Sequence, residues 1–213
     1  MKFQTYLFDL DGTLLDHFAA IYRSHAHTRA LLGGPVPTLA EVRSAVGGGV
    51  ENALERLNPG SDPARAMREY GAHWEKTMLE DVELMPGARE LLEQLHARGA
   101  ILAVITNKHG PSSRLVCDHL GITPLLRAVV GAKDTPWLKP QPEFTAHVLA
   151  LIGATSSGTL LIGDSPYDVQ TAHNAGMPAW CVTTGTHTAA ELKEAGSDGI
   201  YPGMSDIARD LGL

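Results

Sequence analysis

Four short apolar runs set the framework of this chain: Tyr6-Leu7-Phe8, "GAILAVIT" at residues 99 to 106, "TLLIGD" at 159 to 164 and "PAWCVTT" at 178 to 184. None alternates cleanly between apolar and polar residues, so each reads as a strand covered on both faces. Helical patterns separate the later runs. "PGARELLEQLHARG" has Pro86 near its start, Leu91, Leu92 and Leu95 on one face, and Gly99 at its stop. "PYDVQTAHNAG" opens with Pro166 and closes at Gly176. Strands alternating with helices through right-handed crossovers build a parallel sheet, so the expected class is α/β.

Residues 17 to 83 break that rhythm. They show no convincing strand, only helical segments around 17 to 32, 39 to 46, 50 to 57 and 63 to 80. The joints "GGPVP", "GGG" and "NPGSDP" are turn chemistry. A helical block between the first strand and the later βα units reads as an inserted cap. The expected division is a core of 1–16 and 82–213 with a cap of 17–81.

At 213 residues the chain can bury a sizeable core, and its 44% hydrophobic and 19% charged residues are ordinary for a globular protein. A formal net charge of -7 argues against general binding to nucleic acid or anionic membranes. Cys117 and Cys181 are too few for a disulfide scaffold and read as small core hydrophobes. "MKFQTYLFD" is apolar for only a few residues before Asp9, so no signal peptide is expected. No apolar run approaches the roughly 20 residues of a membrane span. A cytoplasmic protein, monomer or homodimer, is the default expectation.

Ligands of an open parallel sheet bind beyond the carboxyl ends of its strands. Asp9 and Asp11 follow the first strand, and Thr106 with Asn107 follows the second. Lys139 sits in "WLKPQPEF", and "GDSPYD" supplies Asp164 and Asp168. Taken singly, each has an ordinary structural reading. "DGT" is turn chemistry, "GDSPYD" can cap a helix, and Lys139 can be solvated. In order at strand ends, they bring carboxylates, a lysine and a hydroxyl to one rim. Clustered carboxylates are tolerable around a hard cation such as Mg²⁺, and a phosphate dianion then becomes bindable beside Lys139 and Thr106. The ten histidines are scattered, with His25 and His27 on different helix faces, so a histidine metal site is not expected.

This ordered set resembles the haloacid dehalogenase superfamily of phosphotransferases. "DLDGT" looks like its first motif, Thr106 its second, Lys139 its third and "GDSPYD" its fourth. The resemblance implies a Rossmann-like core carrying a C1-type helical cap. It also implies Asp9 as nucleophile, Asp11 as general acid and base, and phosphate held by Thr106, Asn107 and Lys139. Mg²⁺ would be bound by Asp9, the backbone carbonyl of Asp11, and Asp164, with Asp168 orienting a metal water or Lys139. The family's dehalogenases and phosphonatases lack the second aspartate, so Asp11 favours phosphoester hydrolysis.

Within the superfamily, "EVRSAVGGGVENALERL", "ITNKHG" and "DGIYPGMSDI" are similar to stretches of phosphoglycolate phosphatases. A small phosphorylated metabolite, 2-phosphoglycolate first, is the implied substrate. An inorganic pyrophosphatase or a sugar phosphate phosphatase is the alternative. A β-phosphoglucomutase-like mutase lacks its histidine pattern here, and a non-catalytic binding module would not need the complete set. Three cap positions are further candidates. Gly48, in "GGG", would let backbone approach an anion, Arg43 would fork onto one, and His17 replaces the serine usual in the resembled phosphatases.

Overall fold

The computed structural model describes residues 2–213. In chain order its elements are β1 (Thr5–Phe8), β2 (Leu15–Asp16), α1 (Phe18–Leu31), α2 (Leu39–Ala45), α3 (Val50–Leu57), α4 (Pro63–Thr77), β3 (Glu83–Leu84), α5 (Ala88–Ala97), β4 (Ile101–His109) and α6 (Gly110–His119). A 3₁₀ turn at Thr123–Leu125 follows. Then come β5 (Ala128–Ala132), α7 (Pro142–Ile152), β6 (Thr159–Gly163), α8 (Pro166–Asn174), β7 (Ala179–Val182), α9 (Ala189–Glu194), β8 (Gly199–Tyr201) and α10 (Met204–Asp210).

Six strands form one sheet in the order β5-β4-β1-β6-β7-β8, and every pairing in it is parallel. Strand order runs outward from β1 to β5, then jumps back to β6 on its other side. The crevice at this reversal, beyond the end of β1, is where a parallel sheet places its ligand.

The continuous apolar runs are explained by period-2 alternation into two separate cores. Tyr6 and Phe8 of β1, Leu102 and Val104 of β4, Leu160 and Ile162 of β6, and Trp180 and Val182 of β7 face one core, closed by α5, α6 and α10. The intervening residues Leu7, Ala103, Ile105, Leu161, Ala179 and Cys181 face the other, closed by α7, α8 and α9. Cys117 and Cys181 are both free and buried, as small core residues.

Helices α1 to α4 bury a third core of their own around Ile21, Val42, Leu54, Tyr70, Trp74 and Met78. The chain enters and leaves this block side by side, because β2 and β3 pair antiparallel, Leu15 with Leu84 and Asp16 with Glu83.

Three local readings change. β5 and β8 are strands that periodicity does not announce, since Ala128–Ala132 is short and Gly199–Tyr201 only half-buried. The second apolar run does not end before Thr106. β4 continues to His109, with a shift of register between Ile105 and His109. Residues 17 to 83, read without a strand, end in one, because β3 begins at Glu83.

Candidate active site

Lys139 is the organising side chain of the crevice. It is 5% exposed, and its Nζ donates to Asp9 Oδ1 and to Asp168 Oδ1, each at 2.7 Å. Two short charge-assisted bonds hold a long, flexible side chain in one rotamer and aim the Asp9 carboxylate. The other oxygen of Asp168 accepts from Ser165 Oγ at 2.6 Å and from the backbone N–H groups of Asp164 and Ser165 at 3.2 and 3.1 Å. Both Asp168 oxygens are therefore engaged. This residue braces Lys139 and the β6–α8 turn.

Asp164 closes the cluster. Its Oδ1 accepts from Thr13 Oγ1 at 3.2 Å and its Oδ2 from the Thr186 N–H at 3.1 Å. The backbone packs so tightly here that a Cβ on Gly185 would overlap Asp164 Oδ2, only 1.8 Å away. Gly12, with φ +85°, makes the turn after Asp11 and meets Gly185 Cα and Asp164 from the other side.

Asp9, Asp164 and Asp168 can each present one oxygen within 4.8 Å of the others, all buried. One lysine cannot neutralise three buried carboxylates. Burial first, and then Asp168, push the Asp9 carboxyl up to about 6 despite Lys139. Burial, Asp9 and Asp168 hold Asp164 well above the carboxylate range. Asp168 and Asp9 keep Lys139 protonated against the opposing pull of burial. A cluster with this surplus negative charge, built from oxygen donors alone, fits a hard divalent cation. Asp9 and Asp164 have the freer oxygens for it.

Asp11 lies in a different environment. Lys108 Nζ donates to both of its oxygens, at 2.9 and 2.7 Å. Burial works against the charge, but Lys108 holds Asp11 well below the usual carboxylate range. Lys108 also sits 4.6 Å from the centre of the Trp74 ring. Neither the clamp nor the aromatic beneath it was singled out from the sequence. Lys108 is the lysine of "TNK", but its partner Asp11 follows the neighbouring strand β1, a pairing that no local spacing encodes.

The remaining candidates fall into place unequally. Thr106 lines the crevice, and its Oγ1 accepts from the Lys108 N–H at 3.2 Å. Asn107 is a strut. Its Nδ2 donates to the Gly47 carbonyl at 3.0 Å and the Lys139 carbonyl at 3.1 Å, while its Oδ1 accepts from the Lys139 N–H at 2.8 Å. Its side chain is thus spent on backbone, so phosphate could meet only its backbone. Gly47 and Gly49 line the cavity where Gly48 was expected. Arg43 points elsewhere, donating to the Gly185 carbonyl at 3.3 Å with its guanidinium 4.0 Å from the centre of the Phe18 ring. His17 is fully buried behind Asp11 and packs against Trp74, ring centres 5.0 Å apart. Among the described residues no histidine joins a metal-ligand cluster.

The fold is an α/β Rossmann-like parallel sheet with an acidic, lysine-braced crevice at its strand reversal and a helical block inserted after the first strand. The family model for haloacid dehalogenase-like hydrolases matches residues 6–182, and the chain belongs to that family. It is 29% identical to the phosphoglycolate phosphatase of Thiobacillus denitrificans over 208 residues, covering 94% of this chain and 92% of the relative. It is 31% identical to that of Caulobacter vibrioides over 213 residues, covering 96% and 89%. The crystal structure of a predicted phosphoglycolate phosphatase from Haemophilus somnus superposes with a TM-score of 0.92 at 25% identity, covering 99% of each chain. No helix among the described residues is long and apolar enough to cross a membrane.

Proposed function

We propose that this chain is a Mg²⁺-dependent phosphatase of small phosphorylated metabolites that works through an aspartyl-phosphate on Asp9. The observation that carries this reading is the bond from Lys139 Nζ to Asp9 Oδ1 at 2.7 Å, with Asp164 in the same acidic cluster. A carboxylate held this way is aimed as a nucleophile, and the lysine beside it is placed to meet phosphoryl oxygens.

In the first step an Asp9 oxygen forms a bond to phosphorus, and the ester P–O bond breaks. The departing alkoxide takes a proton from the Asp11–Lys108 pair. In the second step water attacks the aspartyl-phosphate and returns that proton to the pair, releasing inorganic phosphate and free Asp9. Lys108 keeps Asp11 ionised while the site rests, which suits the base role and leaves the pair as the proton carrier. Asp9, Asp164 and the Asp11 carbonyl would hold Mg²⁺, which supplies charge neutralisation to the phosphoryl group. Thr106 and Lys139 bind the phosphoryl oxygens, and Asp168 keeps Lys139 in place.

The helical block acts as the cap, excluding bulk water from the covalent step. The names of the relatives make 2-phosphoglycolate the first metabolite to assay. The deciding experiment measures phosphate release from a generic phosphate monoester with Mg²⁺, with chelator, and in Asp9→Asn. Release that survives either the chelator or the substitution overturns the mechanism.

A further inference from the structure

Between the sheet crevice and the helical block lies a cavity of about 310 Å³ that runs from Asp9 and Thr106 to a wall made by α1, α3 and α4. That size accommodates a small ligand beyond the phosphate. The wall is apolar: Ile21, Val50, Met67, Tyr70 and Trp74 line it. Tyr70 and Trp74 stack with ring centres 5.9 Å apart and planes 13° from parallel. His25 packs on Tyr70 at 4.7 Å.

The charges around this space are as telling as the rings. Two lysines line it among the described residues, and no arginine does. Lys108 is bound to both oxygens of Asp11. Lys133 is paired with Glu51 at 2.7 Å on the rim. Glu75 adds a further acid there. Arg43, the cation best placed by sequence to receive a substrate carboxylate, is turned away onto Gly185 and Phe18. A second anionic group reaching this wall would therefore meet mainly rings, methyl groups and acids, with both lining lysines already paired.

We infer that the alcohol part of the substrate is uncharged and apolar, an aromatic or branched hydrocarbon group, and that compact carboxylate-bearing esters are poor substrates. This rests on the phosphatase reading given above and specifies its substrate class. His25 adds a neutral polar feature to the wall, beside the Tyr70 hydroxyl. It is 2% exposed, its Nδ1 has no hydrogen-bond partner, and burial keeps its ring uncharged at neutral pH. It offers a single hydrogen bond to an uncharged polar atom of the ligand.

The test compares alkyl esters of similar leaving group, so that chemistry does not mask recognition: benzyl phosphate, ethyl phosphate and 2-phosphoglycolate, all with Mg²⁺. Benzyl phosphate is expected to exceed both others in kcat/KM by at least about tenfold, the scale of a well-filled apolar pocket, mainly through KM. Met67→Lys, which puts a cation on the half-exposed wall of α4, should narrow or reverse the preference for benzyl phosphate over 2-phosphoglycolate. Binding is measured separately with non-hydrolysable benzylphosphonate and 3-phosphonopropionate. Turnover of 2-phosphoglycolate equal to or above benzyl phosphate overturns the inference, as does equal or tighter binding of 3-phosphonopropionate. If no ester is hydrolysed at all, the phosphatase reading falls, and the phosphonate pair alone decides the character of the cavity.

Discussion

His17 presents Nδ1 to Asp11 Oδ1 at 3.5 Å while its Nε2 lies 2.6 Å from the carbonyl oxygen of Met78. A carbonyl only accepts, so Nε2 carries the proton, and a neutral ring then turns a bare lone pair toward Asp11. Nδ1 accordingly makes no hydrogen bond. Burial first, and then Lys108, depress the His17 pKa, which keeps the ring in this neutral form. The histidine thus ties the β2–α1 junction to the end of α4 without adding charge. His17→Ala opens a cavity beside Trp74 and strands the Met78 carbonyl, so it should lose about 2–4 kcal/mol of stability. Urea unfolding of both proteins at equal Mg²⁺ checks this, and a loss below about 0.5 kcal/mol would refute the tie.

Lys139→Met removes the one cation bonded to Asp9 and Asp168 among the described residues. Three carboxylates then crowd with no internal neutralisation, and Asp9 loses its aim. The expected result is a fall in kcat of at least about 10³-fold, the scale of losing an electrostatic donor at the reacting group. Single-turnover phosphate release, which separates chemistry from product release, is the measurement.

Divalent cation should stabilise the fold by mass action, by about 2.7 kcal/mol at a hundredfold excess over Kd. Asp164→Asn should abolish that gain. The same substitution should leave the metal-free protein at least as stable as the parent, because it removes an acid whose charged form burial, Asp9 and Asp168 all oppose. Melting curves with Mg²⁺ and with chelator give both numbers. A metal-dependent rise that persists in Asp164→Asn would move the cation away from this carboxylate.

Gly185→Ala would place a methyl group onto Asp164 Oδ2. The carboxylate or the backbone must shift, at about 1–3 kcal/mol for overpacking. Activity should fall further than stability explains, since Asp164 is displaced. Comparing activity at 10 °C, where the variant is still folded, with its melting temperature separates the two effects.

Burial lowers the His25 pKa from 6.5 to about 4, with the Tyr70 ring packed against it at a tilt of 44°. The sign follows from linkage. A group whose folded pKa is depressed contributes stability above its unfolded pKa, and that contribution drains away as pH falls toward the folded value. His25 should therefore cost the fold up to about 3 kcal/mol between pH 6.5 and pH 4. In His25→Phe, which keeps the ring packing and removes the proton site, stability should fall less steeply over pH 6.5 to 5 than in the parent. Identical slopes would mean that some other group carries the acid sensitivity.

The chemical side of this protein was legible because each of its acids closes or follows a strand. Asp9, Asp11, Lys139, Asp164 and Asp168 are brought to one crevice by a sheet whose apolar runs are plain in the sequence. What stayed hidden depends on how helices lean on that sheet. The grip of Lys108 on Asp11, the turning of Arg43 toward Gly185, and the strut role of Asn107 are contacts between distant stretches of chain, and no local periodicity encodes them. Tyr70 and Trp74 share one face of α4, and nothing local in the sequence marks them for a binding role. One side of that face packs the core of the block, and the same rings form the cavity wall.

The paired ribbon Leu15–Asp16 and Glu83–Leu84 has a consequence for ancestry as well as for shape. Entry and exit of the helical block stand shoulder to shoulder, so both of its covalent connections to the core lie at one place. Exchanging the block for another of different length would leave every strand pairing in place and keep Asp9, Lys139 and Asp164 in register. Catalytic power and substrate taste are therefore heritable separately, and a lineage could change what it cleaves without relearning how to cleave.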